Sequence, residues 1–321
     1  MPDIIDKIKK LMEDETAGNP MSELKWTKKT TQKIADELNR IGIKVSKNTV
    51  GTLLKGMDYS LRANSKKNSN GDKKLSAEEK KDRDKQFIYI NHLRNIFEAG
   101  EKPVISVDTK KKELIGNFKN PGKVWSNKEK RVNDHDFASY AIGKAIPYSI
   151  YNTNLNRGTV FVGTTYDTPS FAVDCIEKWW LKEGKAFNPA TRKILILADG
   201  GGSNSSRSRV WKHDIQEKLC DRHDLSITVC HYPPGASKWN PVEHRLHSEI
   251  SKNWAGKPLD SYETVLKYLR KTKTSTGLKV NAHFVRKHYK LGQKATDKQM
   301  ASISIVRHEI FPNWNYTIIP R

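Results

Sequence analysis

One stretch, residues 193–204 (K-I-L-I-L-A-D-G-G-G-S-N), constrains the fold more than any other part of the chain. Its apolar run at 194–198 has the length of a strand buried on both faces of a sheet, and it ends at Asp199. Three glycines follow, and Ser203 and Asn204 are residue types that begin helices. The pattern predicts a carboxylate at the carboxyl end of a central strand, where ligands bind in open α/β sheets.

This aspartate also has a plainer interpretation, which the stretch alone leaves equally open. Asp199 could cap the next helix while the glycines merely turn the chain. A phosphate-binding P-loop is favoured less, because the glycines at 200–202 are not followed by the Gly-Lys-Ser/Thr sequence that such a loop needs.

The charge of the chain indicates a polyanionic partner. Lys and Arg number 58 against 36 Asp and Glu, a net charge of +22 over 321 residues. The basic excess occurs both before and after residue 95, so it is not confined to a tail. Nucleic acid is the simplest partner for such a surface, and a merely soluble basic protein is the alternative.

The cysteines indicate a reducing compartment. Cys175, Cys220 and Cys230 form no even disulfide framework, and the chain shows neither a signal peptide nor an apolar run of about 20 residues. A cytoplasmic, nucleoid-associated protein that does not contact membranes is therefore predicted. A zinc site using Cys220-x-x-His223 and Cys230-His231 is disfavoured, because adjacent strand residues point to opposite faces.

The amino-terminal part has the pattern of a helix-turn-helix at 21–61, after a short amphipathic helix at 3–12. Thr30 or Thr31 can cap one helix, 40–43 forms the turn, and Ser46 caps a second helix. This arrangement leaves four polar side chains outward for a DNA groove and its phosphates, namely Lys47, Asn48, Thr49 and Thr52. An ordinary helical hairpin with a polar exterior remains the alternative.

Composition then divides the rest of the chain. Residues 64–85 are almost without apolar side chains, and they form either a linker or the solvated start of a helix that continues to about residue 98. We therefore predict a DNA-binding segment at 1–63, a charged linker and connecting helix at 64–98, and a catalytic domain at 99–321.

From residue 103 onward the pattern becomes α/β. Strands are predicted at 104–108 and 113–118, and one strand or a pair within 148–162. Further strands are predicted at 194–198 and 225–229. A helix follows the strand or pair within 148–162, and another follows each of the two later strands. The order β-β-β-α-β-α-β-α matches the ribonuclease H architecture, a mixed five-stranded sheet of order 3-2-1-4-5 flanked by helices. The fold class predicted is therefore α/β and ribonuclease H-like, with a small helix-turn-helix domain in front.

Three carboxylates fall at informative places in this architecture. Asp108 ends the first strand, Asp199 ends the fourth, and Glu243 lies in the first turn of the last helix. Strands one and four are parallel neighbours, so the two aspartates emerge side by side and repel unless a cation lies between them. Hard oxygen ligands select Mg²⁺ or Mn²⁺, and a pair of such ions suits phosphodiester displacement.

Each of these candidates has competitors. Glu243 alone is more readily explained as the third helical residue of a capping box that begins at Asn240. Weaker acidic candidates are Asp134, Asp136, Asp167 and Glu249. His244 and His247 could pair as ligands, although facing phosphate or solvent suits them better.

Longer motifs resemble a known family. The segments at 104–118 (V-I-S-V-D-T-K-K-K-E-L-I-G-N-F), 197–207 (L-A-D-G-G-G-S-N-S-S-R) and 232–245 (Y-P-P-G-A-S-K-W-N-P-V-E-H-R) closely resemble the ISAzo-group, Rhodopirellula-type DDE transposases, relatives of the mariner-like elements. The resemblance extends over nearly the whole chain. It implies a ribonuclease H-like domain that uses Mg²⁺ to cut and join DNA at the ends of an insertion sequence, with Asp108, Asp199 and Glu243 as the catalytic triad and metal ligands.

The resemblance also implies partners and one departure. The expected partners are the terminal inverted repeats and target DNA, with a homodimer or higher oligomer in the complex. Family members usually carry a further helix-turn-helix before the one at 30–55, and this sequence starts too late to contain it, so impaired recognition of the ends is expected.

Two further features lie near the triad in the sequence. Lys110, Lys111 and Lys112 follow Asp108 and are candidates to hold the DNA backbone, with a solvated turn equally open. Trp239 could stack on a distorted base, although a core position is slightly favoured. Rival functions are a ribonuclease H-like nuclease without strand transfer and a non-catalytic DNA-binding remnant.

Overall fold

A computed structural model of the chain describes residues 2–13, 16–18, 25–27, 30–57, 59, 76–122, 130–236 and 239–321. The chain divides into two compact units, Met1–Asp72 and Lys73–Arg321. The part of the predicted linker at 64–75 lies outside the described residues, whereas the part from Ser76 onward begins a long helix.

The described residues of the first unit form three helices and a two-stranded antiparallel sheet. They are α1 (Pro2–Glu13), β1 (Thr16–Gly18), β2 (Lys25–Thr27), α2 (Thr31–Arg40) and α3 (Lys47–Gly56). A small apolar core joins the helices and is formed by Ile8, Ile34, Ala35, Leu38 and Val50. The predicted helix-turn-helix is confirmed as α2 and α3.

Side-chain caps fix both of these helices. Thr30 accepts a hydrogen bond from the backbone N–H of Lys33 at 3.2 Å, and Ser46 accepts one from that of Thr49 at 3.1 Å. The turn between them passes through Gly42, whose φ of 86° is costly for any residue with a Cβ. The start of α3 is therefore held in one orientation.

The second unit is built on a large sheet. Its strands are β3 (Val104–Thr109), β4 (Glu113–Ile115), β5 (Gly143–Asn152), β6 (Arg157–Gly163), β7 (Lys193–Ala198), β8 (Ser226–His231), β9 (Lys279–Phe284), β10 (Ile305–Arg307) and β11 (Asn315–Ile318). Its helices are α4 (Ala77–Ala99), α5 (Pro169–Trp179), α6 (Lys185–Phe187), α7 (Arg209–Ile215), α8 (Ser248–Trp254), α9 (Tyr262–Lys271) and α10 (Asp297–Ala301), with π-helical turns at Trp180–Gly184, Gln216–Asp221 and Val242–His247.

The strand order confirms the predicted fold class. The sheet runs β10-β11-β8-β7-β3-β5-β6-β9, so its centre, β6-β5-β3-β7-β8, has the ribonuclease H-like order 3-2-1-4-5. Strands β3, β7 and β8 are parallel, and β5 is antiparallel to both of its neighbours. Among the described residues the sheet has nine strands rather than five, because β9 extends one edge, β11 with β10 extends the other, and β4 pairs with the start of β5.

One predicted strand is wrong in length and partner. Residues 113–118 were expected to return beside the first strand. Only Glu113–Ile115 forms a strand, and it pairs with Gly143–Ala145 at the beginning of β5. The true second strand is the ten-residue β5, whose length was obscured in the sequence by Pro147, a residue type rare inside strands.

A second correction concerns the helix after β7. Ser203 and Asn204 were expected to start it, but both are buried, and Asn204 Oδ1 accepts a hydrogen bond from the hydroxyl of Tyr148 at 2.8 Å. The helix begins instead at Arg209, capped by Ser208. The glycine-rich segment between β7 and α7 contains only a single 3-10 turn, at Gly202–Asn204.

Helices cover both faces of the sheet. One face packs against α5 and α7 through Ile105, Val107 and Ile196. On the other face, α4 contacts Val104, Leu195 and Leu197, while α8 and α9 cover β5 and β6. Among the described residues, no helix combines the length and the hydrophobicity that crossing a membrane requires.

Candidate active site

Two aspartates leave the sheet side by side. In the parallel pair β3 and β7, Val107 lies opposite Ala198, so Asp108 and Asp199 follow at adjacent strand ends. Neighbouring strands lie about 4.8 Å apart. Side chains alternate between faces, and Ile105 and Val107 point into the α5 and α7 layer. Asp108 therefore points to the opposite face.

Glu243 is brought to that face by a hydrogen-bonded junction. Ser106, two residues before Asp108, donates a short hydrogen bond to the side chain of Asn240 and accepts one from the backbone N–H of Val242 at 3.0 Å. Both Ser106 and Asn240 are buried. The junction fixes the start of the Val242–His247 turn against β3, next to the strand end that carries Asp108.

The capping-box interpretation of Glu243 lacks its hydrogen bond. The helix that starts at Val242 has no side-chain capping hydrogen bond, whereas the capping box of α4 has both of its reciprocal bonds. Asn240 is engaged by Ser106 instead. The carboxylate of Glu243 is therefore not used to cap the helix.

Asp199 and Glu243 lie close enough to Asp108 for their charges to affect its ionisation. Burial raises the pKa of Asp108 to about 8, and the charges of Asp199, Glu243 and Asp167 add to the effect. Burial likewise raises the pKa of Asp199, with contributions from Glu243 and Asp167. Such a concentration of negative charge is unfavourable without a cation.

The donor set fits a hard divalent cation. Asp199 Oδ1 is buried without a hydrogen-bond partner, and so is the hydroxyl of Ser149, which lies opposite Asp108 on β5. Buried polar atoms are seldom left unpaired unless a ligand satisfies them. The described residues contain no group of three or more His, Cys, Asp or Glu side chains already gathered around a metal position. An open carboxylate set suits Mg²⁺, which keeps several waters and uses substrate phosphates as further ligands.

A cavity of about 370 Å³ opens at the carboxylates. Its walls are formed by Asp108, Thr109, Lys110, Lys111, Glu243, His247, Ser248 and Ser251. His247 is buried, and its Nε2 has no hydrogen-bond partner. Burial and the charge of Lys110 lower the pKa of His247 to about 3, so the imidazole is neutral and can donate or accept a hydrogen bond in the cavity.

The three lysines after Asp108 occupy different environments. Lys110 is buried, with its ammonium group 3.3 Å from Glu113 and 4.5 Å from the centre of the Trp254 ring, and burial lowers its pKa. Lys111 is exposed at the cavity rim. Lys112 is exposed and lies 4.0 Å from Asp167. Lys110 and Lys111 are therefore the two that line the cavity.

Comparison with known proteins identifies the family. The family model described as Rhodopirellula transposase DDE domain matches residues 7–320. The chain belongs to this family. It is a DNA transposase, as the motifs around the three carboxylates predicted.

Solved structures similar to this transposase include complexes of the Mos1 transposase. The Mos1 paired-end complex with the left transposon end has a TM-score of 0.42 and 12% sequence identity, covering 83% of this chain and 69% of that one. The Mos1 mariner paired-end complexes with Mn and with Mg have TM-scores of 0.41 and 0.42, with the same identity and coverage. None of the curated proteins compared with the transposase matches it in sequence.

The weaker acidic and histidine candidates from the sequence differ in how they lie relative to the three carboxylates. Asp167 borders the site, because it accepts a hydrogen bond from the hydroxyl of Thr109 at 3.0 Å. Asp134 is exposed in an irregular segment, and Glu249 is paired with Lys252. Of the two histidines expected to face phosphate or solvent, His244 is exposed and His247 is buried.

Trp239 was expected in the core, and this is wrong. Its side chain is 54% exposed, and its ring makes an edge contact with Phe87 at 6.0 Å. The core position next to it belongs to Asn240, which is fully buried. The sequence alone does not indicate which of these two neighbouring residues is buried.

His231 is hydrogen-bonded to the backbone of Asp199, a role that the sequence did not predict. Its Nδ1 lies 3.1 Å from the backbone carbonyl of Asp199, and its Nε2 lies 3.2 Å from the hydroxyl of Tyr316. Burial lowers the pKa of His231 to about 4, so the ring is neutral, donating through Nδ1 to the carbonyl and accepting from Tyr316. The alternating pattern of β8 could have predicted this role, because it places a histidine on a buried strand.

Replacing Ser106 by Ala tests the junction that carries Glu243. The change leaves buried polar groups of Asn240 and Val242 unpaired, so we expect the free energy of unfolding to fall by about 2 kcal/mol. Ser149→Ala is the matched control, since its hydroxyl is buried on the same sheet without a partner. Urea unfolding of the metal-free proteins compares them; equal losses in both variants would show that the Ser106 hydrogen bonds contribute nothing.

Proposed function

We propose that this transposase cleaves and joins DNA at the site formed by Asp108, Asp199 and Glu243, with two Mg²⁺ or Mn²⁺ ions held between them. The observation that carries the proposal is the placement of Asp108, Asp199 and Glu243 at one sheet edge, with raised pKa values for the two aspartates and an unpaired Asp199 oxygen. Divalent cations bound there would activate the attacking oxygen and stabilise the leaving oxygen of a phosphodiester.

The reaction has two steps of the same kind. In the first, the oxygen of water forms a bond to phosphorus at the element end while the bond from phosphorus to the 3′ oxygen breaks, which leaves a 3′-hydroxyl and a 5′-phosphate. In the second, that 3′-hydroxyl attacks a phosphodiester of target DNA and releases a 3′-hydroxyl in the target strand. In each step one phosphorus–oxygen bond forms while another breaks, so neither an oxidant nor a reductant is needed.

The residues of the transposase contribute position and charge to both steps. The Ser106–Asn240 junction and the bond from His231 to the Asp199 carbonyl hold the carboxylates in place. His247 is neutral and unpaired in the cavity, where it can hydrogen-bond a phosphate oxygen or a water molecule. Lys110 and Lys111 line the same cavity and would place positive charge beside the scissile phosphate.

Nicking and joining assays test the proposal. Purified protein is incubated with supercoiled plasmid and Mg²⁺ or Mn²⁺, and the products are examined both for nicks and for strands joined to a second DNA. Nicks with joined products support the transposase mechanism at this site. Nicks without joining favour a nuclease that lacks strand transfer, and the absence of both favours a DNA-binding remnant.

The first unit is proposed to bind DNA through α3. Lys47, Asn48, Thr49 and Thr52 are all exposed on this helix. The hydroxyls of Thr49 and Thr52 already have partners, in Ser46 and the carbonyl of Asn48. Lys47 and Asn48 are consequently the stronger candidates for DNA contact. A cytoplasmic, nucleoid-associated location and an oligomer in the DNA complex stay predictions.

Lys47→Ala is expected to weaken duplex DNA binding several-fold and to make the dependence of log K on log salt shallower by about 0.9, the contribution of one phosphate contact. Lys55→Ala, at the other end of the same helix, is the control and should leave the slope unchanged. Fluorescence anisotropy over a salt series measures both. An unchanged slope for Lys47→Ala would remove this lysine from the phosphate contacts.

A further inference from the structure

A strongly basic segment follows the edge strand β9. Residues 286–294 (R-K-H-Y-K-L-G-Q-K) contain four cationic side chains and no acidic one. Arg286, Lys287, Lys290 and Lys294 are all exposed. We call residues 286–294 the basic segment. The catalytic site does not account for this concentration of charge.

The directions of the strands place the basic segment at the catalytic edge of the sheet. Strand β5 is antiparallel to β3 and β6 is antiparallel to β5, while β9 is parallel to β6. Strand β9 therefore runs in the same direction as β3, and both end at the same edge. Three strand spacings separate them, about 14 Å, which is close to the width of a DNA major groove.

Tyr289 anchors the basic segment. Its backbone N–H donates to the hydroxyl of Thr165 at 3.1 Å, its own hydroxyl donates to Asp174 at 2.8 Å, and its ring packs against Phe171. Thr165 lies two residues before Asp167, which is hydrogen-bonded to Thr109 beside Asp108. The basic segment is thus connected, through a short series of hydrogen bonds and chain neighbours, to Thr109 beside Asp108.

Several charges of the basic segment are available to a partner. Lys287 is engaged by Asp174 at 2.7 Å. Arg286, Lys290 and Lys294 form no ion pair with any of the described residues. These cationic side chains are exposed to solvent, have no acidic partner among the described residues and extend from an anchored backbone. Such an arrangement favours binding to a regular array of anions.

The surface beside the basic segment is concave. A groove of about 610 Å³ runs between it and helices α5 and α7, with Lys287, Lys290, Lys294, His213 and His288 along its walls. Its acidic member, Asp214, is paired with Lys218 at 2.7 Å. The groove therefore carries a net positive charge and can accept a strand of phosphates.

We propose that the basic segment and this groove bind the phosphate backbone of the duplex that is cut at the carboxylate site, where that duplex continues past the sheet edge to the α5 and α7 side. Lysine ammonium groups contact phosphates and carry no base-reading pattern, so the contact is independent of sequence. The identity of the duplex rests on the proposed function, whereas binding itself does not, because it can be measured without metal and without cleavage.

A double charge reversal tests the surface. Lys290→Glu with Lys294→Glu is expected to weaken the binding of a random-sequence duplex by roughly 50-fold at 0.1 M salt, and to make the salt slope shallower by about 1.8 units, because two phosphate contacts are lost. The protein is the full chain, the buffer contains EDTA, and fluorescence anisotropy is the measurement.

The matched control reverses two lysines at the opposite edge of the same sheet. Lys193 and Lys279 are exposed and begin β7 and β9. Lys193→Glu with Lys279→Glu changes the net charge equally and is expected to alter the slope by less than about 0.5 units. Equal effects of the two pairs would overturn the proposal in favour of a general charge effect, and no effect of Lys290→Glu with Lys294→Glu would overturn it directly.

Two further measurements keep the result interpretable. If the Glu variant melts at a lower temperature, Lys290→Ala with Lys294→Ala replaces it and should show the same change in slope. Retained binding with no cleavage by wild-type protein in Mg²⁺ would reject the proposed function and leave the binding surface in place.

Discussion

Asp199→Asn is expected to abolish Mg²⁺-dependent cleavage and joining while the metal-free protein melts at the same temperature as wild type or higher. Asp199 is half-buried beside other acids, its pKa is raised, and its buried Oδ1 has no hydrogen-bond partner. Asparagine removes the charge that holds a cation, which costs several kcal/mol of transition-state stabilisation, about a thousandfold in rate. It also removes the repulsion with Asp108.

The pH dependence of stability provides a second readout for the same variant. A carboxyl whose pKa is higher in the folded state binds protons more tightly there, so stability falls as pH rises from the unfolded value toward the folded one. For Asp108 the folded pKa is about 8. The metal-free wild type should therefore lose stability relative to Asp199→Asn between about pH 5 and pH 8. Mg²⁺ should raise the melting temperature of wild type and leave that of the variant unchanged.

Asp174→Asn is the contrasting control for these stability measurements. Asp174 is also a buried aspartate, but it accepts hydrogen bonds from Lys218, Lys287 and Tyr289, and the lysine bonds help to lower its pKa. Removing its charge should cost about 3 kcal/mol, since two ammonium groups lose their partner. A fall in the stability of Asp199→Asn of similar size, with cleavage retained, would show that Asp199 is structural.

Local sequence patterns were sufficient for the parts of the fold that depend on periodicity. The apolar run at 194–198 predicted a central strand, and alternation predicted β8. The strand order 3-2-1-4-5 then predicted that Asp108 and Asp199 meet, and the pairing of β3 with β7 confirms that their strands are parallel neighbours. Capping residues located α2 and α3 because the cap is a local hydrogen bond.

Features that depend on distant contacts were not predictable in the same way. The strand at 113–118 is short because it pairs with the start of β5, which no local pattern reveals. The exposure of Trp239 and the burial of Asn240 depend on Ser106, 134 residues away from Asn240. The support of Asp199 by His231, and the position of the basic segment at the catalytic edge, likewise follow from how separate strands are ordered.

Glu243→Gln distinguishes a working transposase from a remnant with the same fold. As a cap, Glu243 would accept a hydrogen bond from the backbone N–H of Asn240, and glutamine could do the same. The cap hypothesis predicts normal cleavage and a loss of stability of at most about 1 kcal/mol. The structure has no such capping bond, and the charge of Glu243 contributes to the raised pKa of both aspartates.

The expected result is normal folding and DNA binding, with cleavage and joining both reduced by about a thousandfold, because one metal site serves both steps. Glu249→Gln is the matched control: it makes the same change on the continuing helix, at a residue whose carboxylate is paired with Lys252. Its cleavage should stay near normal. Single-turnover assays on a nicked duplex and on a pre-cleaved end measure the two steps separately. Near-normal cleavage by Glu243→Gln in Mg²⁺, together with loss of activity in Glu249→Gln, would transfer the third carboxylate role to Glu249.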